Sequence, residues 1–110
     1  MAVPVAEADG SLTATGGGTE DTVATITAPR VLTFVVDLSA LTWGDAVTLK
    51  VKRKTRSGDT VRVAYAETFA GIQAEPIAIS VPVPSPHQAV FTITQEAGTP
   101  KTFTWSVEST

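Results

Sequence analysis

Residues 47–65, VTLKVKRKTRSGDTVRVAY, decide the fold class. Val47, Leu49 and Val51 alternate with polar residues, and a second alternating run follows the loop at residues 57–59. A period of two is typical of strands that bury one face, and two such runs around a glycine-containing loop predict an antiparallel hairpin. We therefore expect β-structure that is organised around this hairpin.

The length of the loop determines which residues of the hairpin pair. A two-residue turn would place Lys52 beside Val63 and mix charged with apolar groups. A three-residue loop places Val51 beside Tyr65 and separates the faces, so we predict this register, with Gly58 in the left-handed conformation of a bulged turn. The predicted apolar face consists of Val47, Val51, Val61, Val63, Tyr65 and Phe69. The predicted basic face consists of Lys50, Lys52, Lys54 and Arg62, with Lys54 beside Arg62.

Similar alternation continues on both sides of the hairpin. It covers residues 31–38, 76–83, 88–95 and 101–108, and in the second of these runs Ile77, Ile79, Val81 and Val83 are expected to share one face. Seven or eight strands spaced by roughly ten residues predict one antiparallel β-sandwich of jelly-roll or immunoglobulin-like type. A chain of 110 residues has room for one hydrophobic core, so residues 19–110 are expected to form a single domain.

The first eighteen residues differ in composition from the rest. They are small and polar and end in Gly16-Gly17-Gly18, which raises the entropy cost of ordering them. We predict a flexible N-terminal arm over residues 1–18. Its segment 11–15, which includes Leu12 and Thr13, is able to pair as a strand with an edge in the same protein or in a neighbour.

Residue types that carry catalysis are scarce. The chain has no cysteine and a single histidine, His87, in a proline-rich connection without a second histidine or a carboxylate nearby. No enzymatic activity, metal site or cofactor is therefore expected. No segment is apolar enough to predict a membrane span or an export signal. Trp43 is interpreted as closing one end of the core, with a carbohydrate-stacking platform as the alternative.

The charges are unevenly distributed. Net charge is −3, yet six of the eight basic residues lie between Lys50 and Arg62. Such a strip is able to guide an anionic partner, although a solvated hairpin face produces the same pattern. Nucleic acid is the less favoured partner, because the aromatic residues fall at alternating core positions instead of interleaving with the basic ones.

Several motifs resemble a family of small proteins of tailed bacteriophages. The resemblance rests on TFVVDL at 33–38, LTWGDAVTLKVK at 41–52, SGDTVRVAY at 57–65, ISVPVP at 79–84, FTITQEAGT at 91–99 and FTWSV at 103–107. It covers roughly residues 20 to 108. It implies a virion structural component, made in the host cytoplasm and located on the capsid surface.

Within that resemblance we expect a capsid decoration, or cement, protein. Its partners would be the major capsid protein and further copies of itself, arranged as dimers or trimers. The basic face (Lys50, Lys52, Lys54 and Arg62) and the arm (Leu12 and Thr13) are the predicted attachment groups. The alternative is a receptor- or glycan-binding module of a tail or head fibre.

Overall fold

A computed structural model describes residues 4–109 of the chain. Within that range all regular structure is β-strand. The strands are β1 (Val5–Thr13), β2 (Glu20–Ile26), β3 (Arg30–Asp37), β4 (Ala46–Arg53), β5 (Arg62–Ala70), β6 (Ile77–Ile79), β7 (Val83–Ser85), β8 (Ala89–Ala97) and β9 (Thr102–Ser109).

The strands form two antiparallel sheets. The first has the order β1-β9-β3-β6, and β7 pairs with β3 beyond the end of β6. The second has the order β2-β8-β4-β5. The pairing is nested: β4 pairs with β5, β3 with β6 and β7, β2 with β8, and β1 with β9. The predicted all-β antiparallel class is confirmed.

The inner faces of the two sheets share one hydrophobic core. Phe34 of the first sheet meets Phe91 of the second, with ring centroids 5.3 Å apart and planes tilted by 56°. Such aromatic pairs add about 0.5–1.5 kcal/mol to the effect of burial alone. The fully buried side chains around them are Leu32, Val36, Leu38, Val47, Leu49, Val51, Ile93, Phe103 and Val107.

Part of the predicted arm pairs as a strand with an edge in the same protein, which is one of the two pairings predicted for residues 11–15. Residues 5–13 form β1, which pairs with β9 from Val5 opposite Ser109 to Thr13 opposite Thr102. Ala14 is buried, and the three glycines that follow it adopt positive φ in the connection to β2. Gly10 of β1 lies opposite Trp105, where a larger side chain would crowd the indole. The positions before Pro4 lie outside the described residues.

The central hairpin forms, but its register changes along its length. Val51 lies opposite Tyr65, as predicted, whereas Lys52 lies opposite Val63, which is the pairing of the two-residue turn. The extra residue is Ala64, which forms a β-bulge and turns the following side chains to the other face. Val63 is therefore exposed, and Arg62 lies opposite Arg53 instead of Lys54. Gly58 is absent from the positive-φ glycines, so its predicted left-handed conformation is wrong.

The run from Ile77 to Val81 alternates as predicted, but Val83 is buried and does not share the face of Ile77, Ile79 and Val81. Ile77, Ile79 and Val81 point outward and are exposed, whereas Ser80 is buried. The register is held by Ser80, whose backbone N–H donates to the Phe34 carbonyl and whose hydroxyl oxygen accepts the Phe34 N–H, each at 2.9 Å. Alternation alone predicts two faces without saying which one is buried.

The turn between β8 and β9 offers a test of the packing between loops. Gly98 has a φ of +88°, and a Cβ there would lie 2.8 Å from the Cα of Asp45 and overlap its side chain. Gly17 has a φ of +65° with nothing within 4 Å of the corresponding position. Gly17→Ala should therefore cost only the left-handed strain of about 1–2 kcal/mol. Gly98→Ala should cost a further 1–3 kcal/mol, roughly, from overpacking.

Urea unfolding of both variants measures the difference. Equal losses of unfolding free energy for the two substitutions would show that the contact between Gly98 and Asp45 is not tightly packed.

Candidate interaction surfaces

The candidate sites among the described residues are exposed surfaces. Between residues 4 and 109, no group of three or more His, Cys, Asp or Glu side chains is placed to hold a metal ion. In the same range, no helix is long and apolar enough to cross a membrane. The side chains that stand out are exposed apolar residues and a set of basic residues.

Trp43 is the most conspicuous of the exposed residues. Its side chain is 83% exposed, so the expectation that it closes the core is wrong, although its neighbour Leu41 is buried. The indole lies over the backbone of Gly71, where a Cβ would come within 3.3 Å of Trp43 Cε3. Ile72, which follows, is also exposed. We call Trp43, Gly71 and Ile72 the aromatic tip.

The loop that carries Trp43 is fixed by Asp45, whose side chain is buried. One carboxylate oxygen accepts hydrogen bonds from the backbone N–H and the hydroxyl of Thr42, each at 2.9 Å, and Lys101 Nζ lies 3.7 Å from the same oxygen. The carbonyl of Asp45 accepts the N–H of Gly71 at 2.9 Å. The connection before β4 and the connection after β5 are therefore both hydrogen-bonded to Asp45.

The connection that follows β5 is held by hydrogen bonds from Gln73. Gln73 Nε2 donates to the carbonyl oxygens of Ala70 and Gly71 at 3.0 and 3.2 Å. These bonds hold the chain as it leaves β5, next to the glycine under the indole. The exposed indole thus sits on a backbone that is ordered before any partner arrives.

Two residues of the predicted basic face are engaged within the molecule. Lys52 Nζ lies 2.7 Å from Glu20 Oε1, and Lys50 Nζ lies 3.9 Å from Glu20 Oε2. The Thr92 hydroxyl donates to the same carboxylate at 3.0 Å. The hydrogen bond from Lys52 is the largest cause that holds the pKa of Glu20 below its ordinary value. Much of the positive charge on the outer face of the second sheet is therefore balanced locally.

The other predicted basic residues lie elsewhere. Lys54 follows the last residue of β4, and Arg62 lies opposite Arg53, on the side of the sheet away from Lys52. The Arg53 guanidinium donates to the Pro84 carbonyl at 2.7 Å and to the Lys54 carbonyl. The bulge at Ala64 thus divides the predicted face. We call Arg53, Lys54 and Arg62 the basic end.

Leu12 and Thr13, the predicted partner-binding residues of the arm, contact their own domain. Leu12 packs against the core opposite Phe103, and the Thr13 and Thr102 hydroxyls are 2.9 Å apart. In this arrangement β1 is used by the chain itself and is not offered to a neighbour.

A further surface was not anticipated from the sequence. Val31, Ile77, Ile79 and Val81 are exposed on the outer face of the first sheet, by 43%, 50%, 65% and 57%. We call these four residues the apolar strip. Its sequence signal is the alternation in residues 76–83, which does not by itself show which face is exposed.

Comparisons with protein-family models, with curated proteins and with solved structures found no match for this chain.

The buried carboxylate of Asp45 leads to a prediction about pH. The backbone N–H of Thr42 is the largest cause that lowers the Asp45 pKa below its ordinary value of 3.8. A lowered pKa stabilises the fold above the ordinary value, and this stabilisation is lost as the pH falls through the folded-state pKa. Asp45→Asn should therefore lower the melting temperature at pH 7, and its difference from the wild type should shrink below about pH 4.

Thermal unfolding between pH 2 and pH 7 measures this effect, with Asp9→Asn on the outer face of β1 as the control. A deficit in Asp45→Asn that stays constant at every pH would contradict the assigned role of the carboxylate.

Proposed function

We propose that the protein is a bacteriophage virion structural protein that binds the major capsid protein and stabilises the head as a capsid decoration protein. The resemblance of several sequence motifs to those of small phage proteins supports the biological context of this proposal. The exposed Trp43 on its fixed loop is the observation that carries the binding role.

The proposed architecture is a β-sandwich of jelly-roll type. If β6 and β7 are counted as one interrupted strand, residues 4–109 form eight strands with the nested pairing and the sheet orders of two Greek keys. This order favours a jelly roll over the immunoglobulin-like alternative. Jelly rolls occur in viral capsid proteins and in lectins, so the fold is compatible with either candidate function.

An exposed indole is well suited to anchor a protein interface. Tryptophan is enriched among the residues that dominate binding energy, because it buries a large rigid surface when it enters a pocket. The loop around Trp43 is already held by Asp45 and Gln73, so little ordering entropy remains to be lost on binding. We assign the aromatic tip to direct contact with the capsid protein.

The basic end provides a second point of contact. It lies at the opposite end of β4 from the aromatic tip, and a strand of eight residues spans about 26 Å. Attachment groups separated in this way can engage two neighbouring capsid subunits, which is the mechanical requirement for a cement protein. The acidic surface that would meet Lys54 and Arg62 belongs to the second subunit.

Trp43→Ala tests the anchor. We expect the apparent affinity for purified heads to fall roughly thirtyfold or more, as for a hot-spot residue that contributes about 2 kcal/mol. The matched control is Val63→Ala, which removes an exposed apolar side chain from the β5 edge. Co-sedimentation of labelled protein with heads gives both affinities. Equal affinities for the two variants would exclude the aromatic tip as the attachment site.

The salt dependence of head binding tests the basic end. In the double variant Lys54→Gln/Arg62→Gln, the affinity should fall less between low and physiological salt, because the contacts to an acidic surface that salt screens are lost. Lys50→Gln/Lys52→Gln should change it little, since both lysines already face Glu20. If the second pair altered the salt dependence more than the first, the contact would lie on the outer face of the second sheet.

A receptor- or glycan-binding module is the second candidate, and the same exposed indole favours it, because sugars stack on exposed aromatic rings. Mass spectrometry of purified virions separates the two functions. A copy number equal to that of the major capsid protein, or a simple fraction of it, supports decoration. A few copies per virion, with glycan binding that is lost in Trp43→Ala, supports the module.

A further inference from the structure

The four sheet edges of the described domain are not equally protected. The edge strands β1, β2 and β5 each contain a β-bulge, at Glu7, Val23 and Ala64. Each also carries charged residues, such as Asp9, Glu20 and Glu67. Bulges and charges are the usual means by which proteins keep an edge from pairing with another chain.

The β6 edge has neither form of protection. Ile77, Ala78 and Ile79 pair with β3 without a register shift and carry no charge. Prolines protect only the neighbouring stretch, because Pro82 and Pro84 lack the N–H that a new strand would need. Residues 77–81 therefore form an unprotected window between Pro76 and Pro82.

The backbone of β6 is oriented for pairing. Leu38 N–H donates to the Pro76 carbonyl and Ser80 N–H donates to the Phe34 carbonyl, which places the even-numbered residues of this strand in hydrogen-bonded pairs with β3. The N–H and C=O groups of Ile77 and Ile79 consequently point away from β3, toward the free edge. Their side chains lie on the outer face and are exposed.

We infer that two copies of the chain associate through antiparallel pairing of their β6 edges, about a two-fold axis at Ala78. Ile77 of each copy then lies opposite Ile79 of the other, and each pair exchanges both N–H···O=C bonds. The two first sheets become one continuous sheet, with the apolar strips side by side on its outer face. This inference does not depend on capsid binding, because it uses neither the aromatic tip nor the basic end.

Charge and symmetry favour a second copy over a different partner. In a two-fold interface each surface meets itself, so a charged strip would repel, whereas Ile77 and Ile79 carry no charge and form favourable cross-strand pairs. Asp37 lies opposite Ile77, and the exposed Glu75 lies before β6, outside the Ile77–Ile79 pairs. The two Asp37 strands would be separated by three strand spacings, about 14 Å, so repulsion between them is screened.

Sedimentation velocity of the purified protein from roughly 10 μM to 1 mM tests the association, a range suited to a small interface. The wild type should form a dimer that depends on concentration, and Ile79→Lys should raise the dimer dissociation constant roughly tenfold or more. Val63→Lys, which places the same charge on the β5 edge, should dimerise as the wild type does. Ile77→Lys provides a second variant if Ile79→Lys fails to fold.

Amide hydrogen exchange identifies the edge that pairs. The amides of Ile77 and Ile79 should become protected as the dimer forms, whereas the Ser80 amide, which already donates to Phe34, should be protected throughout. Ile79→Pro removes an exposed side chain and an N–H that faces the partner but no hydrogen bond to β3, so it should weaken the dimer without lowering the melting temperature appreciably.

A wild type that stays monomeric over the whole range overturns the inference, as does a dimer that Val63→Lys weakens as much as Ile79→Lys. A monomeric wild type whose binding to heads is lost in Ile79→Lys would assign the β6 edge to the capsid protein. Loss of head binding in Trp43→Ala with an intact dimer leaves this inference standing and separates it from the proposed function.

Discussion

The structure depends on the contact between two apolar sheet faces, because each strand can present only every second side chain to it. Phe34 from one sheet and Phe91 from the other meet near the middle of this contact, and Leu49, Val51 and Phe103 are buried in the same core. Once these residues face inward, the orientation of every neighbouring position is fixed. The packing of the core therefore also determines which threonine, lysine and isoleucine side chains are exposed.

Much of the fold follows from that alternation and is readable in the sequence. The class, the antiparallel pairing and the hairpin of β4 and β5 follow from the spacing of Val47, Leu49 and Val51. The register near Val51 also follows, because segregation of charged from apolar residues selects it. The register beyond Ala64 could not be predicted, because a bulge adds one residue without a signal in the composition. Every side chain beyond the bulge changes face.

The surfaces were harder to predict, for reasons that differ from one to the next. Leu12 and Thr13 lie in a stretch whose composition predicts a flexible arm that is able to pair with an edge, but the composition does not show that β9 of the same chain is that edge. Ile77 and Ile79 have the pattern of a core strand, and only the bonds between Ser80 and Phe34 show which face is buried. Tryptophan is a residue type that often lies in the core, and the exposure of Trp43 results from the turn that Asp45 stabilises.

The exposed features lie at separate places on the molecule, and this separation matters for assembly. The aromatic tip and the basic end lie at opposite ends of β4 in the second sheet, whereas β6 is an edge of the first. A surface used for self-association is therefore distinct from the groups assigned to the capsid. Pairing at β6 would present two aromatic tips from one rigid dimer, so that each weak attachment raises the effective concentration of the other. In the proposed function, a small domain would in this way hold the capsid firmly through a few modest contacts.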